Sequence, residues 1–592
     1  MFKESQKGIN EDYESQMDSR SFSIMQSPRH WSNVFYWEVV CQIEEKDFNV
    51  LYHVSMGRPN VPLRVLIGMY ILKESKGLSD RSLYENCRYN LLYRRSLGIG
   101  LGDTLPSRTV YYEFLRKVKN HEDLTGEDLL KKSYEQLTAR QCLRYGVEGG
   151  KVRGDSTLVA SNIKSMSRFS LIVEVLRYFI ESLSLIEVLQ IRVKYDALLE
   201  DIISSKGKKR EYRWSKAKKL SYLKDLGRLI GDLLAIFEVK RGSEAYELLH
   251  RVYNDQYEED AMEIKEEEDL ESKKGSSPSK EVPIETGDLS ASLSNREVME
   301  KESSENSSTL PLDGLENSKE ERSMEVSKEE CLPNVKLKPN EAISGKSLQS
   351  LHDRDAEYRN KGYLSAQGFS VDILETVASK GGLNLIISAQ GAGACYADSE
   401  FFQPSIETAE RISDNAVETS NHDGGYFNQA NQEFVKEKGI DWVIPAMPGK
   451  ASMRFVFDQK GEQIILKDIK DDTTILLTQK TKGGNYKYQD AQDQMHYFKP
   501  EQIKNSFIRQ QIQNRSVEQL NVRANVEASI RTLKCHLDGG KMLYRGIFNL
   551  RRWLYCRVMG INFSRILKVI QQKAKKAVSI GIAKEQLCPF SN

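Results

Sequence analysis

Residues 149–162 read GGKVRGDSTLVASN, and they stand between two long regions with helical patterns. Two glycines are followed by Val152 and by the apolar run Thr157-Leu158-Val159, which predicts a β-strand around Asp155. Asp155, a carboxylate inside a short predicted strand, is therefore the first candidate catalytic residue of this chain.

The preceding region, residues 28–145, has the pattern of short helices joined by tight turns. Gly77 can end one helix and Ser79 can cap the next, and Ser107 can open another. Basic residues, Arg108 among them, are spread over these helices, which suits a helix-turn-helix-like DNA reader. A plain helical bundle with a solvated basic face fits the same spacing, and the pattern alone leaves both open.

The following region, residues 169–253, has apolar residues at helical spacing from Ile172 to Ile186. Within it lies a basic cluster, KGKKREYRWSKAKK, at residues 206–219. Its cations can neutralise phosphate and its aromatic rings can stack on bases, although a solvated helix face explains it equally well. The candidate DNA-binding residues of this cluster are Lys208, Lys209, Arg210, Arg213 and Trp214.

The net charge of the 592-residue chain is only +1, but this figure joins two opposed parts. Residues 255–330 hold 24 Asp/Glu against 9 Lys/Arg, a net of −15, so the remainder carries +16. The acidic part has too few apolar residues to offset chain entropy, and we expect disorder over 254–345. It is either a linker or a segment that competes with DNA for basic surfaces.

Composition excludes other classes of protein. No uncharged apolar run is long enough to span a membrane, and no signal-peptide core follows the first methionine, so we expect a cytoplasmic protein without a membrane partner. The eight cysteines contain no CxxC pair, which argues against a zinc or disulfide framework.

Two further carboxylates stand out in the second half of the chain, where strand patterns resume near residue 350. Asp423 follows a short polar strand and precedes Gly424-Gly425, which would allow a close approach. Glu527 lies on a predicted helix, where it shares one face with Arg523, Arg531 and Lys534 at offsets of four and three residues. Intrahelical ion pairing is the simpler interpretation of that face.

The order of these motifs resembles bacterial insertion-sequence transposases of the DDE type. Residues 58–117 resemble the family's helical N-terminal domain, GGKVRGDSTLVASN the strand with its first aspartate, and NHDGGYFNQANQEFVKEKGIDWVIP the block with its second. RANVEASIRTLK resembles the helix with its glutamate and has the R-x3-E-x6-K spacing of the Y-R-E-K signature. The signature tyrosine is replaced by Leu520, and residues 443–515 lack the cysteine cluster of some relatives.

The resemblance implies an α/β protein with an RNase-H-like mixed sheet flanked by helices. Asp155, Asp423 and Glu527 would be the catalytic residues and would hold two Mg²⁺ ions, with Mn²⁺ as a substitute. Arg523, Arg531 and Lys534 would hold DNA phosphates. The partners would be double-stranded DNA, both terminal inverted repeats and target DNA, and a second or further copy of the chain in the complex that pairs the ends.

The predicted activity is therefore metal-dependent DNA cleavage and strand transfer in a bacterial cytoplasm, at the nucleoid when the protein is bound to DNA. Two alternatives remain: a metal-dependent DNA nuclease, and a domesticated DNA-binding protein whose catalytic site has decayed. The predicted organisation is a polar tail at 1–27, a helical DNA-end-binding domain at 28–145, the first part of the catalytic domain at 146–168, a helical basic insertion at 169–253, a disordered acidic linker at 254–345, the remainder of the catalytic domain at 346–570 and a basic tail at 571–592.

Overall fold

The structure is a computed structural model of the full chain. It describes residues 1–5, 17–204, 213–259, 335–361, 364–379, 382–450, 452–461 and 463–579. The chain divides into two units, of which the first comprises Met1–Tyr257 and Leu337–Asn592 and the second Glu258–Lys336. Most of the second unit, and with it most of the predicted acidic linker, lies outside the described residues.

The N-terminal region is helical, as predicted. Gly77 adopts a left-handed conformation that ends one helix, and the Ser79 side chain accepts a hydrogen bond from the Ser82 amide at the start of the next. Ser107 caps a later helix in the same way. The helices are α1 Ser19–Gln26, α2 Trp31–Glu38, α3 Leu63–Lys76, α4 Asp80–Tyr89, α5 Leu91–Leu97, α6 Arg108–Thr125 and α7 Leu129–Tyr145, with 3-10 helices at Val40–Gln42 and Glu45–Leu51.

The predicted strand around Asp155 is β1, Lys151–Ala160, and four helices follow it. The apolar pattern that ran through Ile186 is interrupted, because Leu171–Ile180 lie on one helix and Ile186 lies on the next, where it is exposed. The elements are α8 Arg168–Glu181, α9 Leu185–Ser204, α10 Lys216–Ile236 and α11 Glu244–Gln256, then β2 Tyr257–Glu259 and β3 Val335–Leu337, which pair with each other.

The main sheet has six strands and is mixed. β1 lies at its centre, antiparallel to β5 on one side and parallel to β7 on the other. β5 also pairs with β4 and β6, both antiparallel, and β7 pairs with β8 in parallel. The added elements are β4 Glu357–Lys361, β5 Leu364–Thr376, β6 Ile386–Gly393, α12 Asp398–Ser413, β7 Thr419–Asn421, α13 Gln429–Lys438 and β8 Asp441–Val443.

A second apolar cluster holds two small antiparallel sheets together after residue 450. Helices complete the chain. The elements are β9 Phe455–Lys460, β10 Gln463–Asp468, β11 Thr473–Leu476, β12 Tyr486–Gln489, β13 Met495–Phe498, α14 Pro500–Gln513, α15 Val517–Asn521, α16 Ala524–Lys534 and α17 Ile547–Ser579.

The last helix, α17, joins the N-terminal helices to the main sheet, because it packs against α3, α7 and β6. Two of its cations are inside the protein: Arg552 lies over the rings of Tyr70 and Tyr544, and Arg557 donates to the carbonyls of α3 and α16. These two positive charges of the helix are therefore buried, whereas Lys568, Lys573 and Lys575 on the same helix are exposed. Among the described residues, no helix is both long and apolar enough to cross a bilayer.

Candidate functional site

Two of the three predicted carboxylates come together at the centre of the main sheet. β1 and β7 pair in parallel with Arg153 opposite Asn421, and the same register carried two residues further puts Asp423 beside Asp155. Neighbouring strands lie about 4.8 Å apart, and equivalent positions on them point to the same face. The short strand β7, which ends two residues before the second aspartate, is polar, yet its Ser420 and Asn421 are buried.

The third carboxylate reaches the same place through one guanidinium. Arg523 directly precedes α16, which packs on β1. Its Nη2 lies 3.3 Å from Asp155 Oδ2 and 3.8 Å from Asp423 Oδ2, and its Nη1 lies 3.9 Å from Glu527 Oε1. The intrahelical pair predicted from spacing is present, but the same cation also contacts two carboxylates distant in sequence.

The burial of these groups increases from the helix to the strand. The Glu527 side chain is 66% exposed, that of Asp423 27% and that of Asp155 14%. Charges screened by less water interact more strongly, so the two aspartates contribute most of the negative field at Arg523. Packing does not fix the Glu527 rotamer, and its carboxylate can move toward or away from the aspartates.

The two other cations of the α16 face have different roles. Lys534 is half-buried, and its Nζ donates to Thr157 Oγ1 at 3.2 Å and to the Leu158 carbonyl at 2.9 Å. Burial lowers the pKa of its ammonium group. Lys534 therefore anchors the end of α16 to β1, whereas Arg531 is exposed to solvent.

A buried network that the sequence did not reveal holds α16 against the sheet. Glu375 on β5 is fully buried and accepts from Arg153 Nε at 2.6 Å, from Ser529 Oγ at 2.7 Å and from Arg565 Nη2 at 2.8 Å. These partners lie on β1, α16 and α17. One carboxylate thus joins four elements and fixes the helix that carries Glu527. No local pattern marks Glu375, because its partners are remote in sequence.

Behind the aspartates the sheet is packed with buried polar groups. Burial raises the pKa of Asp372 to about 7, although Ser405 and Tyr426 donate hydrogen bonds to it. Tyr426 is fully buried and packs in the core of the sheet. His422, which directly precedes Asp423, is also fully buried, and burial lowers its pKa to about 3.

Glycine at position 154 is required by this packing. A Cβ there would lie 2.5 Å from His422 Nε2 and 2.9 Å from Leu374 Cδ1. Gly154 directly precedes Asp155, and His422 directly precedes Asp423. The close approach of Gly154 to His422 therefore brings the backbones that carry the two aspartates together. Gly154 therefore supports the geometry of the site without taking part in its chemistry.

The other predicted DNA-binding residues that the structure describes, Arg108, Arg213 and Trp214, lie on different elements from the three carboxylates. Arg108 begins α6 and its guanidinium lies over the Tyr84 ring. Trp214 is half-buried against Phe169 and Tyr222, while Arg213 is exposed. Lys208, Lys209 and Arg210 lie outside the described residues.

The donor chemistry of the site fits a hard divalent cation, since three carboxylates and no thiol face one another across Arg523. Within the ranges that the structure describes, no three His, Cys, Asp or Glu side chains are grouped closely enough to hold a metal ion. The guanidinium contacts the two aspartates through Nη2 and Glu527 through Nη1. The exposed Glu527 side chain is the member free to turn toward them.

Comparison with known proteins gives a match at the N-terminal region. Residues 28–117 match a family model described as "Transposase domain (DUF772)". This part of the chain is similar to a transposase domain. The match covers α2 to most of α6 and includes Arg108, but it does not reach the three carboxylates. No curated protein and no solved structure matches the chain.

Proposed function

We propose that the protein is a DNA transposase of the DDE type, in which Asp155, Asp423 and Glu527 form the catalytic site. The observation that carries the proposal is the convergence of all three carboxylates, 268 and 104 residues apart, on the single guanidinium of Arg523. The similarity of residues 28–117 to a transposase domain supports the same function independently.

An RNase-H-like catalytic domain is part of the proposal. The strand order β6-β5-β1-β7-β8, antiparallel on one side of β1 and parallel on the other, supports it. In such a sheet the central strand and its parallel neighbour bring two carboxylates to one edge, and a helix packed on the sheet supplies the third. The Asp155 and Asp423 register and the position of Glu527 on α16 agree with this arrangement.

Asp155, Asp423 and Glu527 would hold two Mg²⁺ ions, which when bound activate water or a DNA 3′-hydroxyl and stabilise the leaving oxygen. The chain's own residues prepare the site. Lys534 and Glu375 fix α16 on the sheet, so that Glu527 approaches the aspartates from a constant direction. Arg523 neutralises the three carboxylates and would exchange them for a DNA phosphate, which a guanidinium binds in a bidentate manner.

The first test is a cleavage and strand-transfer assay on the terminal repeats of the element with Mg²⁺ or Mn²⁺. We expect Asp423→Ala to abolish both reactions while binding to the repeats persists, because the change removes a carboxylate and leaves the helical N-terminal region intact. The matched control is Asp458→Ala, an exposed aspartate on β9. Normal cleavage by Asp423→Ala would refute the assignment.

The same assay distinguishes the alternatives. Cleavage without joining to target DNA would indicate a nuclease. Binding without either reaction would indicate a DNA-binding protein with a decayed site.

A further inference from the structure

A hydrogen-bond network on the far face of the main sheet reaches the loop that carries Asp423. In the β1–β5 pairing Asp155 is opposite Ile373, and the next pair along is Ser156 and Asp372. Successive residues of a strand point to opposite faces, so the Asp372 side chain lies on the other face of the sheet from that of Asp155. On that face its carboxylate is fully buried against α12.

The loop itself does little to fix the Asp423 carboxylate. β7 ends two residues before it, and two glycines follow it directly. Both glycines are required by close approach: a Cβ on Gly424 would lie 2.4 Å from a backbone carbonyl oxygen, and one on Gly425 would lie 3.0 Å from Asp423 Oδ1. Glycine has the widest backbone freedom of any residue, so the position of Asp423 depends on the next buried side chain, which is that of Tyr426.

Tyr426 binds this loop to the strand behind the site. Its hydroxyl donates to Asp372 Oδ1 at 2.5 Å, and the other oxygen of Asp372 accepts from Ser405 Oγ on α12 at 2.6 Å. All three side chains are fully buried. A buried carboxylate is stable only when its oxygens have donors, so the two hydroxyls and the carboxylate form one unit that joins the loop to β5 and α12.

The residues on either side of Asp423 pack on each other. The ring centroids of His422 and Tyr426 lie 4.5 Å apart, and the Tyr426 carbonyl accepts from Asn431 Nδ2 at 2.9 Å. Both rings are buried on the far face of the sheet. The Asp423 carboxylate between them is turned to the near face, where it shares the guanidinium of Arg523 with Asp155.

We propose that Asp372 and Tyr426 are positioning residues for the catalytic site. Their hydrogen bond holds the Asp423 carboxylate beside Asp155, at the separation that a shared divalent cation needs, from a face where neither residue would contact the cation or DNA. A phenylalanine at position 426 would fill the same space without burying a hydroxyl, so packing alone does not explain this tyrosine. The inference rests on the proposed function, because it assigns a role at the metal site of that function.

The test is Tyr426→Phe in the full chain, which deletes one hydroxyl and keeps the ring. Mn²⁺ binding to the DNA-free protein is titrated by electron paramagnetic resonance, and the Mg²⁺ dependence of DNA-end cleavage is measured beside it. We expect the Mn²⁺ dissociation constant and the half-saturating Mg²⁺ concentration to rise about tenfold, since groups that orient metal ligands typically contribute roughly 10–100-fold in affinity. The affinity for DNA ends should not change.

The matched control is Tyr134→Phe. Tyr134 on α7 is equally buried, and its hydroxyl donates to the Ile386 carbonyl at 3.2 Å, so a hydroxyl bond of the same kind is lost away from the loop. Both variants should lower the melting temperature by a similar small amount, but Tyr134→Phe should change the Mn²⁺ affinity by less than about threefold. Asp372→Asn is the conservative variant: its amide oxygen can still accept from Tyr426, so it should keep the affinity of the unsubstituted chain.

Unchanged Mn²⁺ affinity in Tyr426→Phe, or an equal loss of affinity in Tyr134→Phe, would overturn the inference. Asp423→Ala separates it from the proposed function. If Asp423→Ala weakens Mn²⁺ binding and Tyr426→Phe does not, only the positioning role is wrong. If Asp423→Ala binds Mn²⁺ as tightly as the unsubstituted chain, the metal site of the proposed function is wrong, and the positioning role is wrong with it.

Discussion

Replacement of Arg523 by glutamine should strengthen the binding of a divalent cation while it weakens DNA cleavage. In the structure one guanidinium lies 3.3–3.9 Å from oxygens of all three carboxylates. Glutamine keeps much of the side-chain volume but removes the charge. The three carboxylates then lose their common counter-ion, and a divalent cation no longer competes with it.

The size of the effect follows from the distances. Two unit charges about 4 Å apart interact by about 4 kcal/mol at an effective dielectric constant of 20 and by about 1 kcal/mol in bulk water. The exposure of Glu527 favours the lower value and the burial of Asp155 the higher one. A net change of about 1.5–3 kcal/mol corresponds to a roughly tenfold to hundredfold increase in affinity.

The assay is titration of the DNA-free protein with Mn²⁺, followed by electron paramagnetic resonance of the unbound ion, with DNA-end cleavage measured in parallel. The control is Arg531→Gln, an exposed cation on the same helix that leaves Arg523 in place; we expect it to change Mn²⁺ affinity less than threefold, because exposed charges are well screened. Unchanged or weaker Mn²⁺ binding in Arg523→Gln would refute the reasoning. A merely structural role for Arg523 would lower both metal binding and cleavage.

Three further predictions concern the surroundings of the site. Glu375→Ala should lower the free energy of unfolding by about 3 kcal/mol in urea titrations, because it leaves the buried Arg153 and the partly buried Arg565 without their shared carboxylate, whereas the exposed Glu407→Ala should change it by less than about 0.5 kcal/mol. Gly154→Ala should destabilise the fold by about 1–3 kcal/mol through overpacking, and Gly102→Ala, where a Cβ meets no atom within 4 Å, should not; equal melting temperatures would contradict this. The pKa of Asp372 is raised to about 7, so between about pH 4 and pH 7 the folded chain keeps a proton that the unfolded chain has lost. The contribution of Asp372 to stability therefore falls as the pH rises through this range. Asp372→Asn should flatten this part of the curve of unfolding free energy against pH, and an unchanged slope would count against the prediction.

Local patterns predicted much of the secondary structure because the interactions that form helices and turns lie within a few residues. Ser79 and Ser107 cap helices as expected, and Gly77 ends one. The strand around Asp155 and the shared face of Arg523 and Glu527 also follow from short-range spacing. The prediction of one continuous helical pattern through Ile186 was wrong. Apolar periodicity alone does not show where a turn separates two helices, or that the two helices bury different faces.

The carboxylates illustrate the limit of the sequence. Their residue types and order were readable, and they predicted a transposase site. Their meeting depends on the parallel register of β1 and β7, and on the packing of α16 on the sheet. Both are long-range events, decided by which apolar surfaces are buried together.

By itself the sequence determined which residues are charged, where several of the N-terminal helices start and stop, and that a basic chain carries an acidic segment. Only the tertiary structure decided which of these charges are free to contact DNA. Arg552 and Arg557 are buried and cannot meet DNA, and Lys534 is bonded to β1. Arg523 faces three carboxylates at once. The physical reason is that the effect of a charge depends on its burial and its partners, and both are set by the packing of elements far apart in the chain.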